Sequence, residues 1–175
     1  RLDGVTGVQT CALPIFCYNI PVIEALMRDP KAAALYVFPT KALAQDQQRG
    51  LARIRELESL LPVRSGTYDG DTPDSARRQL REQANVILTN PDMLHQGILP
   101  SHPSWRRFFA GLRYVVIDEI HAYRGVFGSN VANVIRRFRR VCAHYGSDPT
   151  FICCSATIAN PGELASGICG KPVQV

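Results

Sequence analysis

The chain has 175 residues, 46% hydrophobic and 20% charged, enough for one domain with a real core and too apolar for a disordered chain. Its net charge of +5, from 20 Lys+Arg against 15 Asp+Glu, suits an anionic partner such as nucleic acid, and equally a solvated basic surface. No apolar run approaches the roughly 20 residues of a membrane span, and the first residues lack the pattern of a secretory leader, so a cytoplasmic location without membrane contact is expected.

In chain order, the stretch "GVTGVQTCALPIFCYNIPV" (4–22) comes first. Its second half reads as the start of a helix behind a phosphate-binding loop, yet its first half lacks the glycine run, lysine and hydroxyl of such a loop. Short continuous apolar runs follow at "ALYVF" (34–38), "NVILT" (85–89), "RYVVID" (113–118) and "TFICCS" (150–155), with a weaker one in "LPVRSGTYDG" (61–70). Such runs, bounded by turn residues, predict strands buried on both faces of a parallel sheet. Helical patterns predict helices over 41–60, 73–83, 128–145 and 160–168, the last with Asn160 as cap, Pro161 first and Glu163 third. Strands alternating with helices give an α/β fold, a doubly wound, mainly parallel sheet with helices on both faces. Ligands of such sheets bind beyond the carboxyl ends of the strands, where the polar motifs lie.

The six cysteines, Cys11, Cys17, Cys142, Cys153, Cys154 and Cys169, form no CxxC and predict neither a metal site nor disulfides. The arginines of "IRRFRR" (Arg136, Arg137, Arg139 and Arg140) flank an apolar stripe through Ile135 and Phe138 and read as the wet face of a core-packed helix rather than a DNA patch.

The motif with the most chemistry is "VVIDEIHAYRG" (115–125), where an apolar strand delivers Asp118 and Glu119, then His121. One carboxylate can hold Mg²⁺ through water and its neighbour can orient or deprotonate an attacking water. Ser155, Ala156 and Thr157 end another strand. Pro39, Thr40 and Lys41 in "FPTKALAQDQ", and Thr89, Asn90 and Pro91 in "LTNPDMLH", stand at strand-to-helix junctions. There they can meet phosphates or serve as ordinary caps and turns.

In order, PTKAL, TNPDML, DEIH and SAT resemble motifs Ia, Ib, II and III of the first motor domain of superfamily 2 DExH-box (DEAD/DEAH) helicases. "CYNIPVIEALM", "YVFPTKALAQDQ" and "DEIHAYRGVFGSNVANVIRRFRR" narrow the resemblance to the MrfA-like DNA-repair helicases and their eukaryotic relatives, over about residues 16–175. The resemblance implies a RecA-like fold of the P-loop NTPase type, with ATP and Mg²⁺ as cofactors of the intact parent. It implies that Asp118 anchors Mg²⁺, Glu119 prepares water and His121 links the nucleotide site to a second motor domain. Ser155, Ala156 and Thr157 would couple hydrolysis to strand movement. Pro39, Thr40, Lys41, Thr89, Asn90 and Pro91 would hold one strand's backbone, of DNA first and RNA second. Tyr68, Gly70 and Asp71 resemble a loop between those contacts.

The family's P-loop does not follow suit. Its Lys and Ser/Thr positions fall on Pro14 and Ile15, and no GK[ST] occurs in the chain. The family's second motor domain is not among these 175 residues either, as expected of a truncated motor domain. "GVQTCALPI" resembles translated sequencing-adapter DNA, so residues 1–15 are expected to be a non-native or disordered segment ahead of a truncated motor domain over 16–175. Two readings result: a catalytically inactive fragment of an ATP-dependent DNA helicase that binds neither ATP nor Mg²⁺ tightly, or a non-catalytic nucleic-acid-binding or scaffold pseudo-helicase domain.

Overall fold

The computed structural model describes residues 12–57 and 62–174. Five parallel strands, β1 (Ala33–Val37), β2 (Ser65–Thr67), β3 (Val86–Thr89), β4 (Leu112–Ile117) and β5 (Thr150–Cys153), form one sheet in the order β2-β3-β1-β4-β5. The weak run of 61–70 is the short edge strand β2. Register brings Tyr36 opposite both Leu88 and Val116, and Ile117 opposite Cys153.

Strand side chains alternate between two cores, as the period of two demands. Ala34, Tyr36, Leu88 and Val116 face Tyr18, Val22 and Leu26 of α1 (Ala12–Arg28) and Ala44 and Leu51 of α2 (Lys41–Leu57). Leu35, Val37, Ile87, Val115 and Ile117 face α5 (Arg106–Gly111), α6 (Gly125–His144) and α7 (Pro161–Cys169). The sheet is therefore doubly wound. On this second face also lie α3 (Asp74–Gln83), through Leu80, and a single turn, α4 (Pro91–Met93), that continues as a π-helix over Leu94–Ile98. The irregular helices from 91 to 111 carry Trp105, Phe108 and Phe109 into the core; their short, proline-broken pattern gave no helical period to read.

Helix α1 begins at Ala12, so residues 12–15 of the segment expected to be foreign are helical, and Pro14 sits in the first turn, where a missing N–H costs no intrahelical bond. Residues 1–11 lie outside the described residues. Asn160 does precede α7, but its side chain makes no capping bond. Its amide donates instead to Glu163 Oε2 at 3.0 Å, because its backbone (φ −135°, ψ 59°) leaves the usual capping geometry.

Helices α2 and α6 leave the carboxyl ends of adjacent β1 and β4 toward opposite faces. That divergence opens a crevice between the two strand ends, the place where a doubly wound sheet binds its ligand.

Candidate nucleotide and strand site

Asp118 stands at this crevice. Its N–H donates to the Val37 carbonyl at 3.0 Å, tying the end of β4 to the end of β1. Its Oδ1 accepts the Glu119 N–H at 2.8 Å, and its Oδ2 lies 3.4 Å from the Tyr18 hydroxyl. Tyr18 has one proton for two acceptors, since Gln47 Oε1 is also within 3.2 Å. Burial raises the Asp118 pKa above its ordinary value; the Glu119 amide, the Tyr18 hydroxyl and the nearby His121 oppose that shift in part. Neither Tyr18 nor Gln47 stood out as a site residue in the sequence. The signal for Tyr18 was only its place behind the missing loop, in "CYN".

Glu119 has φ 51° and ψ 44°, the one non-glycine residue with positive φ among the described residues. A side chain in this left-handed conformation costs about 1–2 kcal/mol. The turn reverses the chain immediately, and a single turn of 3₁₀ helix, Ile120–Ala122, brings His121 back over the acids. His121 Nδ1 lies 3.2 Å from Glu119 Oε2 and 3.2 Å from the Ala156 N–H. One nitrogen cannot donate to the carboxylate and accept from the amide together. The neutral ring with its proton on Nε2 takes the bond from Ala156; the protonated ring pairs with Glu119. Backbone bonds lock the same junction: Ile120 N–H to the Cys154 carbonyl at 2.9 Å, and Cys154 N–H to the Ile117 carbonyl at 3.0 Å. Cys154 beneath it is half-buried, and burial, then the Asp118 charge, push its thiol up to about 12. Ser155, Ala156 and Thr157 are exposed beside this lock.

The ends of β1 and β3 are built differently. Thr40 and Lys41 are exposed; Thr40 Oγ1 lies 3.4 Å from the Leu43 N–H as a weak cap, and Pro39 is half-buried. Lys41 Nζ pairs with Asp71 Oδ2 at 2.8 Å, a bond that raises the lysine pKa and joins the first junction to the loop after β2. Tyr68 of that loop is buried edge-on against Trp105, so it serves the core, whereas Gly70 and Asp71 are exposed. Thr89 is buried and its hydroxyl donates to the Tyr68 carbonyl at 2.7 Å. Asn90 Oδ1 accepts the Met93 N–H at 2.8 Å and Pro91 is buried at the first helical position. Of the six residues expected along a strand's backbone, Thr40 and Lys41 offer exposed side chains. Thr89 and Asn90 spend theirs on local structure.

Among the described residues no three His, Cys, Asp or Glu side chains converge on a metal. The single carboxylate of Asp118 fits a Mg²⁺ ion that keeps most of its water and takes other ligands from phosphates. The residue types ahead of Tyr18 do not fit a phosphate cradle: Pro14 and Ile15 carry neither a lysine's charge nor a hydroxyl. No helix among the described residues is long and apolar enough to cross a membrane.

Known proteins share this fold and sequence. The chain is 53% identical over 171 residues to the ATP-dependent helicase YprA of Bacillus subtilis, covering 98% of this chain and 23% of that protein. It is 47% identical over 168 residues to the ATP-dependent helicase hrq1 of Schizosaccharomyces pombe, covering 95% and 16%. The crystal structure of the DUF1998 helicase MrfA bound to DNA and AMPPNP superposes with a TM-score of 0.88 at 54% identity, over 90% of this chain and 22% of that one. The chain thus spans about a quarter or less of the length of these relatives. The profile of the DEAD/DEAH box helicases matches residues 16–164, and the chain belongs to that family.

Proposed function

We propose that this chain is the first motor domain of an ATP-dependent DNA helicase whose parent couples ATP hydrolysis to movement along one strand of a duplex. One observation carries the reading: at the switch point of the sheet, His121 Nδ1 lies within 3.2 Å of both Glu119 Oε2 and the Ala156 N–H, so that one histidine nitrogen can serve either the acid pair or the SAT segment. In the parent, Mg·ATP supplies the phosphoryl group that water attacks. Asp118 would hold the hydrated Mg²⁺. Glu119 would orient water and accept its proton. His121 would pass between Glu119 and Ala156, so that a change at the acids is felt at Ser155 and Thr157 and, through them, at the second motor domain. Thr40 and Lys41 would meet one strand's phosphates, with Pro39, Asn90 and Pro91 shaping the surface and Thr89 holding it from beneath. DNA is favoured over RNA because MrfA, at 54% identity, is bound to DNA in its crystal structure.

A second reading, a non-catalytic nucleic-acid-binding or scaffold domain, draws on the proline and isoleucine at the start of α1. The two are separated by restoring a glycine-rich GK[ST] segment and the second motor domain, then comparing Glu119→Gln with the unsubstituted protein. The amide keeps the shape but takes no proton, so turnover should fall about 10²–10⁴-fold with ATP binding retained. Turnover within threefold would remove Glu119 from this role.

A further inference from the structure

We propose that a trough along α6, away from the acid pair, binds single-stranded DNA through Arg137 and Arg140, with Phe127 as a platform for a base. The four arginines of this helix are not equivalent. Arg136 Nη1 bonds Asn133 Oδ1 at 2.9 Å, and Arg139 Nη1 bonds the Gly170 carbonyl at 2.7 Å, capping the end of α7. Arg137 and Arg140 have no ion-pair or hydrogen-bond partner among the described residues, and both line the same two adjoining depressions.

The first depression, about 520 Å³, runs between α4 and α6. It starts at Pro91, beside the expected strand surface, and Phe127 on its wall is 42% exposed. The second continues to His144, the last residue of the helix. From Phe127 to Arg140 the trough follows α6 for about 20 Å at 1.5 Å per residue. Asp92 is the single acid along it.

Charge points to the occupant. Helix α6 has 20 residues, four arginines and no acid. Arginines three apart on one helix face repel, and the helix itself carries no acid to offset the repulsion; Asp92 across the trough is the one negative charge beside them. The helix dipole helps cations only within the last turn, and Arg137 lies nearly two turns before the end. A basic groove with an exposed aromatic ring matches the electrostatic track and stacking platform that single strands use. The choice of DNA rests on the function proposed above; the trough itself does not.

The test is fluorescence anisotropy of the chain with labelled dT₁₂, titrated at several salt concentrations, for the parent, Arg137→Ala/Arg140→Ala, Phe127→Ala and Lys41→Ala. All four should melt alike, since these side chains are exposed or half-exposed. The double variant should bind about tenfold more weakly, and its log–log salt slope should be shallower by about 1.4, two contacts at 0.7 each. Phe127→Ala should lose about fivefold on dT₁₂ and nothing on heparin, which has no bases to stack. Loss confined to Lys41→Ala would overturn the trough and leave the proposed function standing. Loss on heparin equal to that on dT₁₂, with Phe127→Ala silent, would reduce the trough to a general polyanion surface and overturn it. Binding of U₁₂ more than threefold tighter than dT₁₂ would overturn DNA as the occupant, and no binding by the parent would overturn both proposals.

Discussion

The carboxyl edge of the sheet has two halves made from similar residues. At the ends of β4 and β5, polar groups are held at a cost: Glu119 in a left-handed conformation, and Asp118 buried enough to raise its pKa. At the ends of β1 and β3, hydroxyl and amide groups close ordinary local bonds, Thr89 to Tyr68 and Asn90 to Met93. Strain and uncompensated burial survive only where the surroundings enforce them, and they gather at functional sites. On that ground we propose the β4–β5 half as the chemical centre and the β1–β3 half mainly as its frame, with Lys41 and Thr40 as its reach toward a ligand.

The comparison breaks most visibly if the nucleotide has a cradle after all. Hydrogen bonds to charged groups contribute about 1.5–3 kcal/mol each, so lacking three phosphate contacts costs roughly 5–9 kcal/mol if they add. At about 1.4 kcal/mol per decade, that is at least a thousandfold in affinity. Calorimetric titration of this chain with Mg·ATP should show no binding at micromolar concentrations. A micromolar dissociation constant would mean that the segment ahead of Tyr18 is a working phosphate loop of unfamiliar sequence.

Next come substitutions that ask which half is structural. Thr89→Val keeps the shape and strands the buried Tyr68 carbonyl, a loss of about 1–3 kcal/mol. Gly128→Ala places a methyl group against the Tyr123 carbonyl, just behind the acid turn. Overpacking of this kind costs about 1–3 kcal/mol, and the shift should reach His121. In a domain of this size each kcal/mol lowers the melting temperature by about 2–4 °C. Asn90→Ala should cost about 1 kcal/mol as a lost helix cap. Ser155→Ala, exposed beside the lock, should change stability by less than about 0.5 kcal/mol. Equal losses at Asn90 and Ser155 in thermal melts would erase the distinction between frame and centre.

Much of this was legible in the sequence because the strands are buried on both faces. Continuous apolar runs such as "ALYVF" and "NVILT" have few alternatives once turn residues bound them, and the acids fell at a strand end where a parallel sheet places its ligands. Strand order and the crevice between β1 and β4 were not legible, since they arise from which face each helix takes. Thr89 and Asn90 show a second limit: the residue types that contact phosphates also brace neighbouring strands, as Thr89 does, or cap helices, as Asn90 does, and only the partner atom tells the roles apart. The Tyr18–Asp118 approach and the division of the α6 arginines are long-range facts, with partners as much as 100 residues away, that no local pattern encodes.

The smallest expected effect tests the difference most directly. A carboxyl whose folded pKa lies above its unfolded value binds its proton more tightly in the folded state, so its charged form costs stability. That cost is absent below the unfolded value, near 3.9, grows as pH rises through the interval up to the folded pKa, and stays constant above it. Burial places Asp118 in this class. Asp118→Asn removes the charge and keeps an oxygen to accept the Glu119 N–H, so the variant should melt slightly above the parent at pH 7. The gap should close as pH falls toward about 4. Asp71→Asn, on the other half, removes one side of an exposed pair with Lys41, and such pairs add little in water. Its melting temperature at pH 7 should stay close to the parent's. If Asp118→Asn instead melted lower at pH 7, the charge of Asp118 would be holding the fold together, and the β4 end would be frame like the β3 end.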